Sequence, residues 1–182
     1  MNYPDLTALT PELTAILEGK RHANVYKMLM HSPNMAPGFT ALADAAMWSK
    51  KWPATLRELV IVRVGHLYNS PYEIHQHEQI GRLVGLSDAQ LAACAIGADQ
   101  AVLSPDEQTA LRLTDALVKN HNLTDAEQAD ALKLFDANAF ADFVMTVGFY
   151  QLVSNFLNVF RVEKEEHDLF PKPGEIRPED LP

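Results

Sequence analysis

Glu58, Glu73 and His77 bring two carboxyl groups and an imidazole together within a short stretch of the chain. Glu73 and His77 are four positions apart, so on a helix their side chains share one face. The helical row of Glu58 continues through Val62 to His66, which predicts that its carboxylate points toward packed surface. Burial raises the pKa of a carboxyl group, whereas a nearby imidazolium lowers it. Such a balance can bring the pKa values of Glu and His side chains near neutral pH, as general acid–base catalysis requires.

These three candidate catalytic residues include no obvious nucleophile unless the neighbouring Ser70 is activated. Substrates prepared for carbanion formation, such as a lactone with a carboxylate next to an unsaturated system, need only positioning and a proton. Ser70 and Tyr72 are candidate substrate-binding residues, although an aromatic residue at a helix end more often packs in the core. Whether Glu58 reaches His77 depends on a helix crossing that the sequence leaves open.

Structural roles compete with each of these interpretations. Ser70 and Glu73, like Thr55 and Glu58, have the spacing of a capping box, in which a hydroxyl and a carboxylate each satisfy an open backbone N–H. Glu58 can also form an ion pair with an arginine of its own helix, either Arg57 or Arg63. A lone histidine such as His77 is more often held by hydrogen bonds than catalytic. Capping and catalysis do not exclude each other.

A divalent cation is a further interpretation of the same residues. Glu58, Glu73 and His77 offer suitable ligand atoms. The pair His75 and His77 does not, because on a helix their rings diverge by about 200°. We expect no metal and no other cofactor.

Helical signals surround these residues. Apolar positions at helical spacing, capping strings and prolines at first helical positions predict eight helices, and no alternating strand pattern competes. The helices are expected near residues 11–31, 39–48, 55–68, 71–84, 88–97, 105–120, 125–136 and 139–166. Three further capping strings begin at Ser87, Ser104 and Thr124. We predict an all-α protein with a single domain over residues 1–182, ending in an extended proline-rich tail at 171–182.

Two predicted helical segments, 59–62 and 143–160, carry no charge on any side. A helix of this kind must be enclosed by other helices or by another subunit. The chain is too short to cover both segments easily. We therefore expect a homo-oligomer, whether a dimer, a trimer or a hexamer.

Three strings within residues 56–91 resemble the signature of a known family. They are LRELVIVRV, YEIHQH and GLSDAQL, and they are similar to the carboxymuconolactone decarboxylase and alkylhydroperoxidase D-like superfamily. The similarity covers a core at about residues 36–120, which a C-terminal helical extension follows. It implies an alkylhydroperoxidase D-like helical bundle.

The peroxidase branch of this family carries a glutamate, a Cys-x-x-Cys pair and a histidine. Glu58 and His77 stand at the glutamate and histidine positions, while Ser70 and Glu73 occupy the two cysteine positions. Serine and glutamate form neither a sulfenic acid nor a disulfide. Cys94 is the only cysteine, so no second thiol can resolve it. The decarboxylase branch is more similar, because it has a glutamate at the Glu73 position and the same histidine.

The resemblance therefore implies a thiol-free, decarboxylase-like lyase acting on a small carboxylated lactone or carbonyl compound. In this interpretation His77 is the general acid–base, Glu73 orients it or shuttles a proton, and Glu58 sets its pKa. Two alternatives stay open. One is peroxidase or peroxiredoxin-type activity by family membership. The other is a non-enzymatic ligand-binding or assembly protein of the same fold.

The composition narrows the expected partners. The 182 residues include 15 Lys and Arg against 24 Asp and Glu, a net charge of -9, so neither nucleic acid nor an acidic membrane surface is expected to bind. A small pocket can still be locally positive, which leaves an anionic substrate open. The N-terminus lacks a basic segment followed by an apolar run, and residues 143–160 are too polar for a bilayer span. We expect a cytoplasmic protein with a small-molecule substrate.

Overall fold

Helices account for all the regular secondary structure in residues 1–167 and 169–170, which this computed structural model describes. A 3-10 turn at Leu6–Ala8 precedes nine α-helices. They are α1 (Pro11–Gly19), α2 (Asn24–Leu29), α3 (Ala36–Trp48), α4 (Ala54–Leu67), α5 (Pro71–Leu83), α6 (Asp88–Ile96), α7 (Pro105–Asn120), α8 (Asp125–Leu134) and α9 (Ala137–Phe160). The predicted all-α class is confirmed for these residues. The tail 171–182, which we predicted to be extended, lies outside them.

Two predicted helices end earlier than their sequence patterns suggest. The helix expected over 11–31 is divided, because Arg21 and His22 adopt left-handed backbone conformations with φ of 53° and 54°. The last helix ends at Phe160 rather than near residue 166, because Arg161 is also left-handed, with φ of 51°. A residue in this conformation cannot continue a right-handed helix and commonly terminates one.

Three of the five capping boxes form as predicted, at Ser87, Ser104 and Thr124. The other two do not form. α4 begins after Pro53, so Thr55 lies inside the helix instead of capping it. Ser70 does precede α5, but its side chain makes no capping hydrogen bond. The two boxes that fail are those that contain Glu58 and Glu73.

α4 lies at the centre of the fold, and all of residues 56–65 are buried. The helices α5, α6, α7 and α9 pack around it. Leu59 and Val62 face α6 and α7, whereas Val60 and Val64 face the larger core shared with α3, α7 and α9. The expectation that this segment is enclosed by other helices is confirmed.

The sequence predicts that residues 143–160 are too polar for a bilayer span, but α9 as a whole is long and apolar enough to cross a membrane by length and composition, and no other helix of the described residues is. It packs against α3, α4, α5, α7 and α8, as a core helix does. One side of α9 nevertheless stays exposed, and its large apolar residues are Val144, Met145, Leu152 and Val159. The homo-oligomer stays a prediction.

Candidate active site

One glycine allows α4 and α5 to approach closely enough to bring their functional side chains together. A Cβ atom added to Gly65 would lie 3.0 Å from Ile74 Cγ1 and 3.5 Å from Glu73 Cγ. A contact as short as 3.0 Å leaves no room for a larger residue. A Cβ atom added to Gly81 would instead lie 3.0 Å from Leu91 and 3.1 Å from Leu86, while Glu58 Cβ would lie at an ordinary contact distance of 3.8 Å. The spacing of α4 and α5 at the site therefore depends on Gly65.

His77 lies between the two predicted carboxylates. Its Nδ1 donates to Glu58 Oε2 at 2.7 Å, and its Nε2 lies 3.1 Å from Glu73 Oε1. The first contact is a hydrogen bond, whereas the second is an ion pair without hydrogen-bond alignment. All three side chains are buried, and Glu58 is completely inaccessible to solvent. The structure thus joins residues that are 19 positions apart.

These contacts determine the charge of His77. Burial lowers the pKa of the imidazole, but the carboxylates of Glu58 and Glu73 outweigh it and raise the pKa to about 9. The ring is therefore an imidazolium at neutral pH and can donate a proton from either nitrogen. The sequence predicts pKa values near neutrality for this trio; in the structure both carboxylates contact the imidazole and raise its pKa above that range.

Arg57 and Tyr150 complete the surroundings of the histidine. Arg57 Nε donates to Glu58 Oε1 at 2.9 Å, so Glu58 is shared between Arg57 and His77. With Glu73, this arrangement pairs two buried anions with two buried cations. The ring of Tyr150 packs edge-on against the imidazole, with ring centroids 4.9 Å apart. The orientation of His77 is therefore constrained from three sides.

A cavity of about 270 Å³ opens beside this cluster. Its walls are mainly apolar and aromatic, and its polar lining includes Arg57, Glu73, Gln76 and His77. Glu58 lies behind the wall and does not line it. Because Nδ1 of His77 is occupied by Glu58, the nitrogen left for a bound molecule is Nε2, beside Glu73. A mostly apolar cavity with a few convergent polar groups is typical of a small-molecule site.

The structure separates the two candidate substrate-binding residues. Tyr72 lines the cavity, and its hydroxyl donates to Glu165 at 2.6 Å. Ser70 is completely buried and is not part of the cavity wall. Its hydroxyl has no hydrogen-bond partner among the described residues. Ser70 therefore neither caps α5 nor reaches a molecule bound in the cavity.

No sequence pattern predicts that some residues belong to the site. Tyr150 comes from α9 and Glu165 from the segment that follows it. The Glu165 carboxylate accepts hydrogen bonds from Tyr72, from the Gln76 side chain and from the backbone N–H of Asn24. Arg57 was predicted only as a possible ion-pair partner of Glu58; that pair forms, whereas Arg63 pairs with Asp115. The place of Arg57 in the cavity wall was not predicted.

Neither a metal centre nor a reactive thiol is evident in the described residues. No three His, Cys, Asp or Glu side chains there are arranged to hold a metal ion, and His75 Nε2 contacts Gln79 instead of the cluster. Cys94 is buried behind α4 and does not line the cavity. Burial raises the pKa of its thiol to about 12, so the reactive thiolate is scarce at neutral pH.

The fold and the site define an all-helical protein with a buried Glu–His–Glu cluster at the wall of a small cavity. Residues 33–116 match the carboxymuconolactone decarboxylase family. This match spans 84 of the 182 residues, a little under half of the chain, and the similarity to that family covers the region that contains Glu58, Glu73 and His77. No curated protein sequence matches it.

Solved structures of low sequence identity share the fold. An uncharacterized peroxidase-related protein from Ralstonia eutropha with an alkylhydroperoxidase AhpD core is 21% identical, with a TM-score of 0.81 over 91% of this chain and 92% of that one. A protein of unknown function from Agrobacterium tumefaciens is 16% identical, with a TM-score of 0.70 over 76% and 96%. The debrominase Bmp8, in complex with 2,3,4-tribromopyrrole, is 14% identical, with a TM-score of 0.76 over 91% and 94%.

Proposed function

We propose that this protein is a decarboxylase-like lyase that uses acid–base chemistry on a small carboxylated lactone or carbonyl compound. The observation that carries the proposal is the His77 imidazolium, held between Glu58 and Glu73 at the wall of the cavity. This arrangement supplies a positioned proton without a thiol. The match of residues 33–116 to the carboxymuconolactone decarboxylase family supports it.

The reaction needs one proton and no oxidant or reductant. The C–C bond to the departing carboxylate breaks, and that group leaves as CO₂. The electron pair that remains passes into the adjacent unsaturated system, where a proton from His77 Nε2 forms the new C–H bond. The imidazole then recovers a proton from solvent. A positioned proton donor of this kind contributes on the order of 10²–10⁴ in rate.

The neighbouring groups have separate roles in this proposal. Glu58 holds Nδ1 and keeps the ring protonated, and Arg57 fixes the second oxygen of Glu58. Glu73 lies at both Nε2 and the cavity, so it orients the donor or passes the proton to the substrate. Expulsion of water by the apolar walls strengthens each of these electrostatic contacts.

Peroxide reduction is the weaker alternative. It requires a thiolate that can contact and attack the bound peroxide, and Cys94 is buried outside the cavity with a pKa raised to about 12. No observation favours a purely non-enzymatic role.

A parallel turnover assay tests the proposal. Carboxymuconolactone and related lactones are followed by ultraviolet absorbance, and hydroperoxide is followed with a dithiol reductant. We expect lactone turnover that survives Cys94→Ser and falls on the order of 10²–10⁴-fold in His77→Gln. His75→Gln is the matched control, because His75 lies on the same helix and contacts Gln79 instead. A loss of less than about tenfold in His77→Gln, or peroxide turnover that depends on Cys94, contradicts the proposal.

A further inference from the structure

Arg57 has hydrogen-bonding capacity that the described residues do not use. Its Nε donates to Glu58, and its two terminal nitrogens make no hydrogen bond within the described part of the chain. The residue is only 4% exposed, yet it lines the cavity. A buried guanidinium normally has its donors satisfied, because an unmade hydrogen bond in the interior is costly. The open donors are therefore available to a molecule bound in the cavity.

Arg63, on the same helix, shows what a satisfied buried arginine looks like here. Its Nε and Nη2 donate to the two carboxylate oxygens of Asp115 at 2.6 Å and 2.8 Å. Its Nη1 donates to the backbone carbonyl of Cys94 at 2.8 Å. The contrast identifies the open side of Arg57 as a feature of the cavity rather than of buried arginines in this fold.

The charges around the cavity are balanced. Four cationic side chains line it, Lys20, Arg21, Arg57 and the protonated His77, against the two anionic ones of Asp44 and Glu73. Asp44 pairs with Lys20, and two further carboxylates lie directly behind the wall, Glu58 on Arg57 and Glu165 on Tyr72 and Gln76. The net charge therefore does not select an anion, and any preference for one has to come from the open donors of Arg57.

We infer that Arg57 is a specificity-determining residue whose terminal nitrogens bind a carboxylate that the substrate keeps throughout the reaction. The inference rests on the proposed function. A guanidinium matches the planar geometry of a carboxylate with two parallel hydrogen bonds.

The carboxylate that leaves is a different one. Its charge disperses as CO₂ forms, so a contact with Arg57 would stabilise the bound substrate more than the transition state and slow the reaction. The aromatic wall, which includes Phe39, Phe149 and Tyr150, suits that departing group better. Arg57 thereby fixes the substrate from one end while His77 supplies the proton.

Calorimetric binding of two unreactive probes tests this role without turnover. The probes are the saturated lactone γ-butyrolactone-γ-acetate, whose carboxylate lies on a side chain and represents the retained group, and its neutral carboxamide. We expect Arg57→Gln to weaken carboxylate binding about 10- to 100-fold, the value of a charge-assisted hydrogen bond, and to weaken carboxamide binding far less. Arg57→Lys, which keeps the charge and a donor, is expected to lose less. Arg63→Lys is the matched control and should bind both probes as the wild type does.

Two results overturn the inference. One is a wild-type protein that binds the carboxylate no more tightly than the carboxamide. The other is an equal loss of affinity for both probes in Arg57→Gln. The second result assigns Arg57 to support of Glu58 alone. Because the probes report binding only, carboxylate selectivity in a protein that turns over no lactone would refute the proposed reaction and leave the carboxylate site standing.

Discussion

His77 Nδ1 and Glu58 Oε2 lie 2.7 Å apart and connect α5 to the centre of α4. This contact places a charge pair in the interior, where Glu58 is fully enclosed and also binds Arg57. Loss of one partner of such a pair leaves the other charge without compensation. The Glu58–His77 pair is therefore both a structural contact and the source of the protonated imidazole.

Replacement of Glu58 tests both roles at once. We expect Glu58→Gln to lower the free energy of unfolding by about 3–5 kcal/mol, because Arg57 and His77 lose their shared anion. The pKa of His77 should fall below its native value of about 9, since one of the two carboxylates that raise it is gone. Urea denaturation and NMR titration of the imidazole measure the two effects.

Glu78→Gln provides the control for this variant. Glu78 pairs with Arg82 at 3.4 Å on a partly exposed face of α5, so its loss should cost less than about 1 kcal/mol. Equal losses in the two variants would show that the Glu58 contacts add nothing beyond a surface ion pair.

The stability of the protein should depend on pH through His77. The pKa of this residue is raised from 6.5 to about 9 on folding, so the folded state holds the proton more tightly. The resulting stabilisation is fully present below about pH 6.5 and is lost as the pH rises through about 9. Urea denaturation of wild type and His77→Gln across this range measures it. A constant difference between the two proteins over the whole range would contradict the raised pKa.

The approach of α4 and α5 should depend on Gly65. In Gly65→Ala the added Cβ would lie 3.0 Å from Ile74 Cγ1 and would displace the first turn of α5, which carries Glu73. We expect a destabilisation of about 1–3 kcal/mol together with reduced turnover, measured by thermal denaturation and the lactone assay.

Gly148→Ala is the matched variant, because Gly148 is also helical but has nothing within 4 Å of an added Cβ. There alanine should stabilise the helix by about 0.5–1 kcal/mol. A neutral or stabilising effect at Gly65 as well would refute the close contact.

Interactions between neighbouring residues determine much of the secondary structure of this protein. Three capping boxes form where the Ser/Thr-x-x-Glu/Gln spacing predicts them, because a cap involves only neighbouring residues. The shared face of Glu73 and His77 follows from the helical repeat in the same way. The pattern of apolar residues also predicts that the middle of α4 is buried, because a segment without a polar side has no stable place at the surface.

The predicted capping boxes at Thr55 and Ser70 do not form, so local spacing alone does not predict these contacts. Their carboxylates, Glu58 and Glu73, contact His77 instead of a helix start. A buried carboxylate beside an imidazolium gains more than one at an exposed cap, because the interior screens charge less. Which of the two contacts a carboxylate makes depends on where the second helix lies, and a capping motif carries no information about that position.

Tertiary packing alone decided the rest of the site. It brought Glu58 to His77 across 19 positions and placed Tyr150 of α9 against the imidazole. It also placed Arg57 in the cavity wall with its terminal nitrogens unbonded among the described residues, while Arg63 was satisfied. The sequence by itself determined the helices, most of their ends and the residue types able to do acid–base chemistry. It did not determine which of them meet, because that depends on how closely and at what angle the helices cross.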